Sequence, residues 1–576
     1  MSKKNHVLAA LFQEMAEIVE ITGGNRFRIN AFSRVARTLN EMLEDVTYIT
    51  HDELIDLPGI GKGTADRIIE FVQTGRIKEH NQLLKKVPEG LLALLGIPGL
   101  GPKTVAMLWK KADIKNEVDL RQKLESGELT SLPGMGLKKL ETLRKNLAFV
   151  QTAGQRVRLG QSLPVAEAIA LQLKNLKQVK QIAYAGSLRR GKETVGDIDL
   201  LVAAEPRQSV LISDAFVKLV PQAKVQAKGT TKTSIRTQEG FQIDLRIVHP
   251  DQFGATMMYF TGSKQHNILL RERAIKQGLK LNEYGLFCGD KSVAGKTEQG
   301  VYKAIGLSWI PPELREGRGE IDLAEKNKLP KLIELVDIKA ELHTHTTASD
   351  GRWSIEQLTK AAVERGFHTV AVTDHSKGQA QANGLDEKRL ENHIKLVHAV
   401  AEKMKNKISV LAGSEVDILA DGKLDYPNSL LKELDIVVAA PHSALSQDPA
   451  KATSRLLKAI ENPYVTLLAH PTGRLVNRRQ GLSPDMPRLI GAAAQRGIAL
   501  EINANNWRLD LRDIHARAAT EAGVKLSINT DAHGPGDLNE LRYGILTARR
   551  AAVTAKDVIN CMSRAVLARW LKTTRS

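Results

Sequence analysis

Three aspartates in the first half of the sequence have a spacing that suits the binding of two metal ions. Asp197 and Asp199 stand two positions apart at the start of an apolar run, and Asp244 lies within a second apolar run. On a β-strand, side chains at i and i+2 point to the same face, so the first two carboxylates can hold the same pair of hard cations. A third carboxylate on a neighbouring strand completes the ligand set that two-metal chemistry on a phosphoryl group requires.

The segment just before the first aspartate pair is suited to binding phosphate. It reads GSLRRG over 186–191 and follows another apolar run. The backbone N–H groups at Gly186 and the hydroxyl of Ser187 can face a phosphate, and Arg190 can donate two parallel hydrogen bonds to it. A lone Asp-x-Asp is usually a solvated strand edge. Joined to this loop and to the third aspartate, it predicts a nucleotidyl-transfer site.

A second set of metal-binding side chains lies after residue 336. Short apolar runs alternate there with amphipathic stretches, and this repeated βα pattern predicts a closed parallel barrel. Active sites of such barrels lie at the carboxyl ends of the strands, which is where the polar residues cluster. The cluster has more ligands than one metal needs, and its nitrogen and oxygen donors suit Zn, Mn or Fe. Its members are His343, His345, Asp350, His375, Glu415, His442, His470, Asp531 and His533.

A glycine-rich motif occurs three times near the amino terminus, each time before a helical stretch. One such motif is compatible with an ordinary turn between helices, but three with lysine nearby resemble the helix-hairpin-helix motif, which binds the DNA backbone and not the bases. Glycine lets backbone N–H groups approach a phosphate, and the next helix N-terminus adds a favourable dipole. The glycine pairs are Gly59 and Gly61, Gly99 and Gly101, and Gly134 and Gly136.

Composition and charge indicate a protein of several domains with a polyanionic partner. The 576 residues exceed what one hydrophobic core supports. The net charge is +18; residues 336–576 hold 33 Lys and Arg against 27 Asp and Glu, so the first 335 residues carry +12 and are expected to hold the polyanion. Cys288 and Cys561 are too few for a disulfide framework, and no run of 18 apolar residues occurs. We therefore expect a soluble cytoplasmic protein that contacts no membrane.

The aspartate and phosphate-loop motif closely resembles the nucleotidyltransferase palm of family X DNA polymerases, the polymerase beta group. The resemblance implies that Asp197 and Asp199 bind both metals, whereas Asp244 binds the catalytic metal and helps to take the proton from the primer 3′-OH. It also implies that Ser187 and Arg190 hold the incoming triphosphate. The ions expected from the family are Mg²⁺ or Mn²⁺.

Residues after the third aspartate extend the resemblance. The pair Tyr259–Phe260 and the turn at Gly262 match the family's segment that presses backbone against the nucleotide sugar. The residues that match Asn267 and Arg271 monitor the minor groove in that family. Lys264 stands where polymerase beta has an acid, and a cation beside the nucleotide leads us to expect tight nucleotide binding at a gap.

Besides Lys264, two further positions depart from the polymerase beta pattern. Two residues before Asp244 that enzyme has an arginine, and Gln242 here is expected to alter how the aspartate is held. On the helix after the first hairpin, Arg67 stands where polymerase beta has the lysine that forms a Schiff base with a 5′-deoxyribose phosphate. A guanidinium stays protonated and cannot act as an amine nucleophile. Lyase activity is therefore not expected, whereas binding of a 5′-phosphate is.

The carboxy-terminal segment resembles the polymerase-and-histidinol-phosphatase (PHP) domain, and all nine positions of that family's trinuclear ligand set are filled. Such clusters hydrolyse phosphoesters by activating water and clamping the scissile phosphate. The resemblance implies that Glu415 bridges Mn²⁺ or Zn²⁺ ions. It further implies one site with His343, His345 and Asp531, a second with His442 and His470, and a third with Asp350, His375 and His533.

The order of these parts resembles bacterial and archaeal family X DNA polymerases over essentially the whole chain. This predicts a multidomain α/β protein with a helix-hairpin-helix amino-terminal region, a polymerase beta-like palm and thumb, and a distorted (βα)-barrel PHP domain. The expected domains are a lyase-like helical domain over 1–85, a fingers-type DNA-binding subdomain over 86–150, the palm over 151–250, the thumb over 251–317, a linker over 318–336 and the PHP domain over 337–576.

The resemblance implies a gap-filling DNA polymerase of base excision repair. Its PHP domain is expected to be a metal-dependent 3′→5′ exonuclease with apurinic-site endonuclease or 3′-phosphodiesterase activity. Expected partners are dNTPs and double-stranded DNA that has gaps or nicks and a 5′-phosphate. A monomer associated with the nucleoid is expected.

Two other classes of function remain open. The polymerase half can serve mainly as a DNA-binding module for a phosphoesterase, and Gln242 is the palm departure that favours this. The PHP half can instead hydrolyse a small phosphomonoester such as histidinol phosphate. Three hairpins and a basic first part argue against a small substrate, and preference for labelled DNA over p-nitrophenyl phosphate distinguishes these alternatives.

Overall fold

The computed structural model describes residues 3–42, 45–57, 59–97, 99–154, 156–238 and 240–575. The chain divides into two compact units, residues 1–154 and residues 155–576. Within the described ranges, no helix combines the length and the apolar character that crossing a membrane requires.

The described residues of the first unit form helices and turns. Leu8, Phe12 and Met15 of the first helix are fully buried, because apolar side chains four and three residues apart share one helix face. The helices are α1 (Lys3–Thr22), α2 (Arg26–Glu41), α3 (His51–Ile55), α4 (Lys62–Thr74), α5 (Lys78–Leu84), α6 (Pro102–Ala112), α7 (Glu117–Glu125) and α8 (Leu137–Gly154).

Similar turns precede α4, α6 and α8. In the third, the N–H of Met135 donates to the carbonyl of Leu132 at 3.1 Å, and Gly134 has φ 74°. A proline second and a positive-φ glycine third are the signature of a type II turn, which only glycine fits easily. The equivalent hydrogen bond and a positive φ occur in the other two turns, at Gly59 and Gly99.

The second unit begins with the palm, a five-stranded sheet of order β2-β4-β7-β6-β5 in which only β4 and β7 are parallel. Ile198, Leu200 and Val202 of the central strand β4 are buried among apolar residues that include α9 and α11. The elements are β1 (Val157–Arg158), α9 (Leu159–Lys174), β2 (Gln181–Tyr184), α10 (Gly186–Arg189), β3 (Thr194–Val195), β4 (Asp197–Ala203), α11 (Ser209–Leu219), β5 (Lys224–Lys228), β6 (Lys232–Arg236) and β7 (Gln242–Val248).

The thumb follows as helices around a three-stranded antiparallel sheet. Glu298, at the start of α14, is buried and accepts hydrogen bonds from Arg315 and from Arg189 of the palm, both at 2.7 Å. The elements are α12 (Phe253–Thr261), α13 (Lys264–Lys276), β8 (Lys280–Asn282), β9 (Gly285–Cys288), β10 (Lys291–Ala294), α14 (Glu298–Ala304) and the short α15 (Glu320–Glu325).

The PHP segment forms the predicted parallel barrel, with seven strands in sequence order β11 to β17. A parallel bridge between Thr344 and Ala532 brings the first and last strands together. The elements are β11 (Ala340–Glu341), α16 (Ile355–Glu364), β12 (Thr369–Val372), α17 (Glu387–Met404), β13 (Ser409–Asp417), α18 (Asn428–Leu431), β14 (Ile436–Ala440), α19 (Pro449–Ile460), β15 (Leu467–Leu468), α20 (Met486–Arg496), β16 (Ala499–Asn503), α21 (Asp513–Glu521), β17 (Leu526–Asn529), α22 (Leu541–Arg550) and α23 (Arg564–Thr574).

The palm and the barrel contact each other within the second unit. Arg474, which follows β15, forms an ion pair with Glu193 of the palm at 2.6 Å. Arg542 on α22 pairs with Glu167 on α9 at 2.8 Å. Charged side chains of the barrel therefore contact the part of the palm that surrounds the phosphate loop.

Candidate active sites

The three palm aspartates lie together because β4 and β7 are parallel neighbours. Asp199 stands directly opposite Asp244 in the strand register, and Asp197 lies two residues before Asp199 on the same strand. One carboxylate oxygen from each of the three lies within 4.8 Å of the others. Burial, and then repulsion from the other two carboxylates, raises the pKa of Asp199 to about 7. Such crowding of negative charge fits a site for divalent cations.

The predicted phosphate loop is a single helical turn, α10, that lies against this carboxylate cluster. Gly186 has φ 64°, and a Cβ atom there would lie 2.7 Å from Oδ2 of Asp199. Only glycine allows both the backbone conformation and this close approach. Ser187 follows Gly186 within the same turn.

Arg190 ends this turn and is already engaged by other protein groups. Its Nε donates to Glu316 at 3.0 Å, and its Nη1 donates to the carbonyl of Thr261. Only 11% of the side chain is exposed. An incoming triphosphate that uses this guanidinium must share it with the carboxylate of Glu316 or displace that carboxylate.

Asp244 is held by neighbouring side chains, and Lys232 among them was not revealed by the sequence. Nζ of Lys232, on the neighbouring strand β6, lies 2.6 Å from Oδ2 of Asp244. Nε2 of Gln242 donates to Oδ1 of the same carboxylate at 3.2 Å. Burial opposes ionisation of Asp244, but hydrogen bonds from Lys232, Ser234 and Gln242, in that order, lower its pKa. Lys232 thus places a positive charge beside this aspartate. Gln242, at the position where polymerase beta has an arginine, contributes no charge.

The residues predicted to contact the nucleotide and the minor groove lie on α12 and α13. The rings of Tyr259 and Phe260 meet edge to face with centroids 5.2 Å apart. Nδ2 of Asn267 donates to the carbonyl of Tyr259 at 2.7 Å, which ties the two helices together. Lys264 and Arg271 are exposed on α13. Gly262 separates the helices with φ 66°.

The nine predicted PHP side chains come together at the carboxyl ends of the barrel strands, around the carboxylate of Glu415. This carboxylate is 1% exposed. Five imidazoles have a ring nitrogen within 3.5 Å of its oxygens. They belong to His343 (3.4 Å), His345 (3.5 Å), His375 (2.8 Å), His442 (3.2 Å) and His470 (2.8 Å).

The cluster divides into overlapping groups whose ligand atoms lie within 4.8 Å of one another. Several of its atoms are buried yet make no hydrogen bond within the described residues, among them Nε2 of His343, Nε2 of His442 and Oε2 of Glu415. Buried nitrogen and oxygen atoms that make no hydrogen bond are suited to act as metal ligands. The groups are His345, Asp350, His375 and His533; His343, His345, Glu415 and Asp531; and His375, Glu415 and His442.

Further carboxylates orient these imidazoles, and the sequence interpretation did not include them among the site residues. Nδ1 of His343 contacts Oε1 of Glu501 at 2.8 Å, and Nδ1 of His442 contacts Asp417. A carboxylate on the second ring nitrogen fixes the tautomer and strengthens the imidazole as a ligand. Glu501 stands within the apolar run of β16, an unusual place for an acid, and this was the available signal.

Comparison with protein families matches four kinds of domain in this chain. The palm segment matches the family model described as DNA polymerase beta palm over 163–250, and the next segment matches DNA polymerase beta thumb over 256–316. The first unit matches a helix-hairpin-helix domain over 3–77 and a SAM-like helix-hairpin-helix tandem over 91–148. The barrel matches the PHP domain over 341–504.

Individual relatives cover either the whole chain or one half of it. The protein named DNA polymerase/3′-5′ exonuclease PolX of Bacillus subtilis (strain 168) is 36% identical over 99% of this chain and all of its own length. DNA polymerase lambda of Rattus norvegicus is 23% identical over 51% of this chain and 53% of its own. A protein named probable phosphatase from Thermoanaerobacter sp. (strain X514) is 28% identical over 38% of this chain and 89% of its own.

Proposed function

The chain belongs to the PolX family, the family X DNA polymerases with a PHP domain, and we propose that it fills short gaps in DNA during base excision repair and trims 3′ ends. The observation that carries this proposal is the convergence of Asp197, Asp199 and Asp244 beside the α10 turn. These carboxylates would hold Mg²⁺ or Mn²⁺, which would activate the primer 3′-OH and neutralise the triphosphate. The protein's own part is to position both groups.

Loop and thumb residues would orient the nucleotide in this proposal. Ser187 and Arg190 would contact the triphosphate, and Lys264 would add a cation on the exposed side of α13. Tyr259 and Phe260 would press against the sugar. Asn267 and Arg271 would face the minor groove.

The PHP cluster would act on the phosphodiester backbone of DNA. Its nine side chains would hold Mn²⁺ or Zn²⁺, and the metal would activate water and clamp the scissile phosphate. The relative named as an exonuclease spans both halves of this chain, which supports a 3′→5′ exonuclease. Apurinic-site endonuclease and 3′-phosphodiesterase activities belong to the same proposal, because all of these reactions hydrolyse a DNA phosphoester.

The first unit would grip the DNA backbone. Gly61 and Gly101 each precede a helix without a side-chain cap, and a Cβ atom at either position would meet nothing within 4 Å. Backbone N–H groups at Lys62 and Gly63 of α4 and at Lys103 of α6 can therefore approach a phosphate, whereas Pro102 has no N–H. We propose that all three hairpins bind DNA in this way, the third of them through Gly136.

A cavity in the first unit supports binding of a 5′-phosphate at a gap. It has a volume of about 690 Å³, and its lining includes the cations Arg28, Arg67, Lys78 and Lys86 together with the acids Asp66, Glu70 and Glu79. Glu79 forms ion pairs with both arginines and not with the two lysines. The cavity has cations for a phosphate, but Arg67 offers no amine for lyase chemistry.

We propose that the protein acts as a monomer near the nucleoid.

Gap filling on two matched substrates tests this proposal. A one-nucleotide gap with a downstream 5′-phosphate should be filled about tenfold more efficiently than the same gap with a 5′-hydroxyl, as loss of one charge-assisted contact predicts. Lys86→Gln should reduce that preference, whereas Lys85→Gln, which alters an exposed neighbour that does not line the cavity, should not. Equal filling of both gaps by the unaltered protein would contradict the gap-specific role.

A further inference from the structure

A cavity of about 370 Å³ lies within the second unit where the palm meets the barrel. The palm contributes Arg156 and Lys192, and the barrel contributes Arg512 and Arg550. Arg318, from the segment that joins the two domains, also lines it. This cavity is separate from both candidate metal sites, because none of the carboxylates and imidazoles of those two clusters lines it.

The two carboxylates that line the same cavity are already paired. Oδ2 of Asp513 accepts hydrogen bonds from Arg550 at 2.8 Å and from Arg318 at 3.3 Å. Glu193 pairs with Arg474 at 2.6 Å. Two acids therefore face five lining cations, and the positive charge of the cavity is not balanced by its own walls.

Two of the cations remain available to a ligand. Among the described residues, the guanidinium of Arg512 donates no hydrogen bond that the structure records, and it is exposed. Nζ of Lys192 lies 3.7 Å from Glu316, beyond hydrogen-bonding distance. Burial lowers the pKa of Lys192; Glu316 opposes this shift, and the neighbouring Arg550 and Arg190 add to it. A bound anion would favour the charged form of this lysine.

We propose that this cavity is a binding site for a phosphate group. Arginine forks and a lysine converging on one space are the groups that proteins use for phosphate. The volume stands at the lower end of the range of about 300–1,000 Å³ seen for small-molecule sites, so it suits a mononucleotide or one unit of a strand. The phosphate can come from a free nucleotide or from the backbone of a DNA strand, and both share this chemistry.

Occupancy of the cavity would act on the nucleotide-binding loop. Gly191 and Lys192 line the cavity directly after Arg190, and Nη1 of Arg550 donates to the carbonyl of Arg190 at 2.8 Å and to Glu316 at 2.8 Å. A phosphate held by Lys192 and Arg512 therefore bridges the palm loop and the barrel. The inference goes beyond the proposed polymerase and exonuclease sites, because it adds to the second unit a phosphate site that contains no metal ligand.

Isothermal titration of the full, metal-loaded chain with inorganic phosphate tests the site. Lys192→Gln combined with Arg512→Gln removes two solvent-accessible cations from the cavity. Arg488→Gln combined with Arg569→Gln removes the same charge from exposed positions on α20 and α23. Both pairs keep every metal-binding side chain, so the difference between them reports the cavity alone. The cavity pair should lose one bound phosphate that the control pair retains; equal numbers of bound phosphates would overturn the proposal.

Two further ligands identify the source of the phosphate. The nucleotide dAMP offers a phosphomonoester, and the dinucleoside monophosphate TpT offers only a phosphodiester. Selective loss of TpT binding in the cavity pair indicates a DNA strand, and selective loss of dAMP binding indicates a free nucleotide; either result supports the site. Arg512→Lys, which keeps the charge, should retain phosphate. Loss of binding in that variant as well, with unchanged thermal unfolding, would show that charge in the cavity is not what binds phosphate and would contradict the proposal.

Discussion

Nζ of Lys232 lies 2.6 Å from Oδ2 of Asp244, across the antiparallel pair of strands β6 and β7. Asp244 is 5% exposed, so this cation is its closest charged partner in a largely buried setting. Gln242 contacts the other oxygen of the same carboxylate. Lysine and glutamine together thus hold the aspartate that we propose as a ligand of the catalytic metal.

Lys232→Gln should reduce the rate of nucleotide addition. A charge-assisted hydrogen bond is worth about 1.5–3 kcal/mol, so its loss should lower kcat about tenfold or more while the KM for dNTP changes little. Lys232→Arg should retain most of the activity. Lys224→Gln, at an exposed position on β5, is the matched control. Single-turnover primer extension measures both effects, and an unchanged rate for Lys232→Gln would show that the ion pair does not serve catalysis.

Two glycines of one hairpin should respond differently to alanine. Gly99 has φ 89°, a backbone conformation that costs a non-glycine residue about 1–2 kcal/mol, so Gly99→Ala should lower thermal stability. Gly101 has φ −82° and open space around it, so Gly101→Ala should leave stability nearly unchanged. Its methyl group should instead weaken DNA binding about fivefold, as loss of a phosphate hydrogen bond worth about 1 kcal/mol predicts. Fluorescence anisotropy with gapped DNA gives the affinities, and equal affinity for Gly101→Ala and the unaltered protein would argue against phosphate contact at this hairpin.

Glu501→Gln should weaken metal binding in the PHP cluster and leave the polymerase activity of the palm unchanged. Glu501 contacts His343 at 2.8 Å, and loss of such an orienting carboxylate typically costs about 10–100-fold in metal affinity. Metal content after dialysis should fall, and shortening of labelled DNA should fall with it, while primer extension continues. The same substitution at the exposed Glu433 is the control. Full metal retention in Glu501→Gln would contradict the role of this carboxylate in orienting His343 for metal binding.

The buried pair of Glu298 and Arg315 should make stability depend on pH in the acid range. Burial alone would raise the pKa of Glu298, but Arg315 and the hydrogen bonds from Arg189 and Arg315 lower it from 4.5 to about 2. A carboxylate with a depressed folded pKa stabilises the protein above about pH 4.5, and this contribution is lost as the pH falls toward 2. Glu298→Gln should therefore cost about 3 kcal/mol at pH 7, and much less near pH 2.

Thermal unfolding of Glu298→Gln across this pH range provides the measurement. The exposed Glu272→Gln on α13 is the matched control, and its Tm should follow that of the unaltered protein at every pH. A constant difference in Tm between Glu298→Gln and the unaltered protein from pH 7 to pH 2 would contradict the assigned ionisation.

The sequence was sufficient to predict the elements that follow local rules and the positions of the candidate ligand side chains on them. Strands buried on both faces read as continuous apolar runs, which is why the parallel barrel was recognisable and why His343, Glu415 and His470 could be assigned to strand ends. The close approach of Gly186 to Asp199 likewise follows from the order of loop and strand.

Contacts between segments that are distant in the chain could not be predicted from the sequence. Lys232 meets Asp244 only because β6 pairs with β7 in one register, and strand pairing has no local signature in that stretch. The pair of Glu193 and Arg474 joins residues 281 positions apart across the palm and the barrel. The engagement of Arg190 by Glu316 depends on how the thumb folds back on the palm.

The most direct test of the account follows a 5′-labelled primer on a one-nucleotide gap with a downstream 5′-phosphate, with Mn²⁺ or Mg²⁺ and with or without dNTPs. The unaltered protein is compared with Asp199→Ala and His343→Ala. Asp199→Ala should abolish extension and still shorten the primer, and His343→Ala should extend it without shortening, because the aspartate cluster and the histidine-rich cluster lie on separate sheets of the second unit. An unaltered protein that shortens the primer but never extends it would contradict the account, because the palm would then serve only to bind DNA.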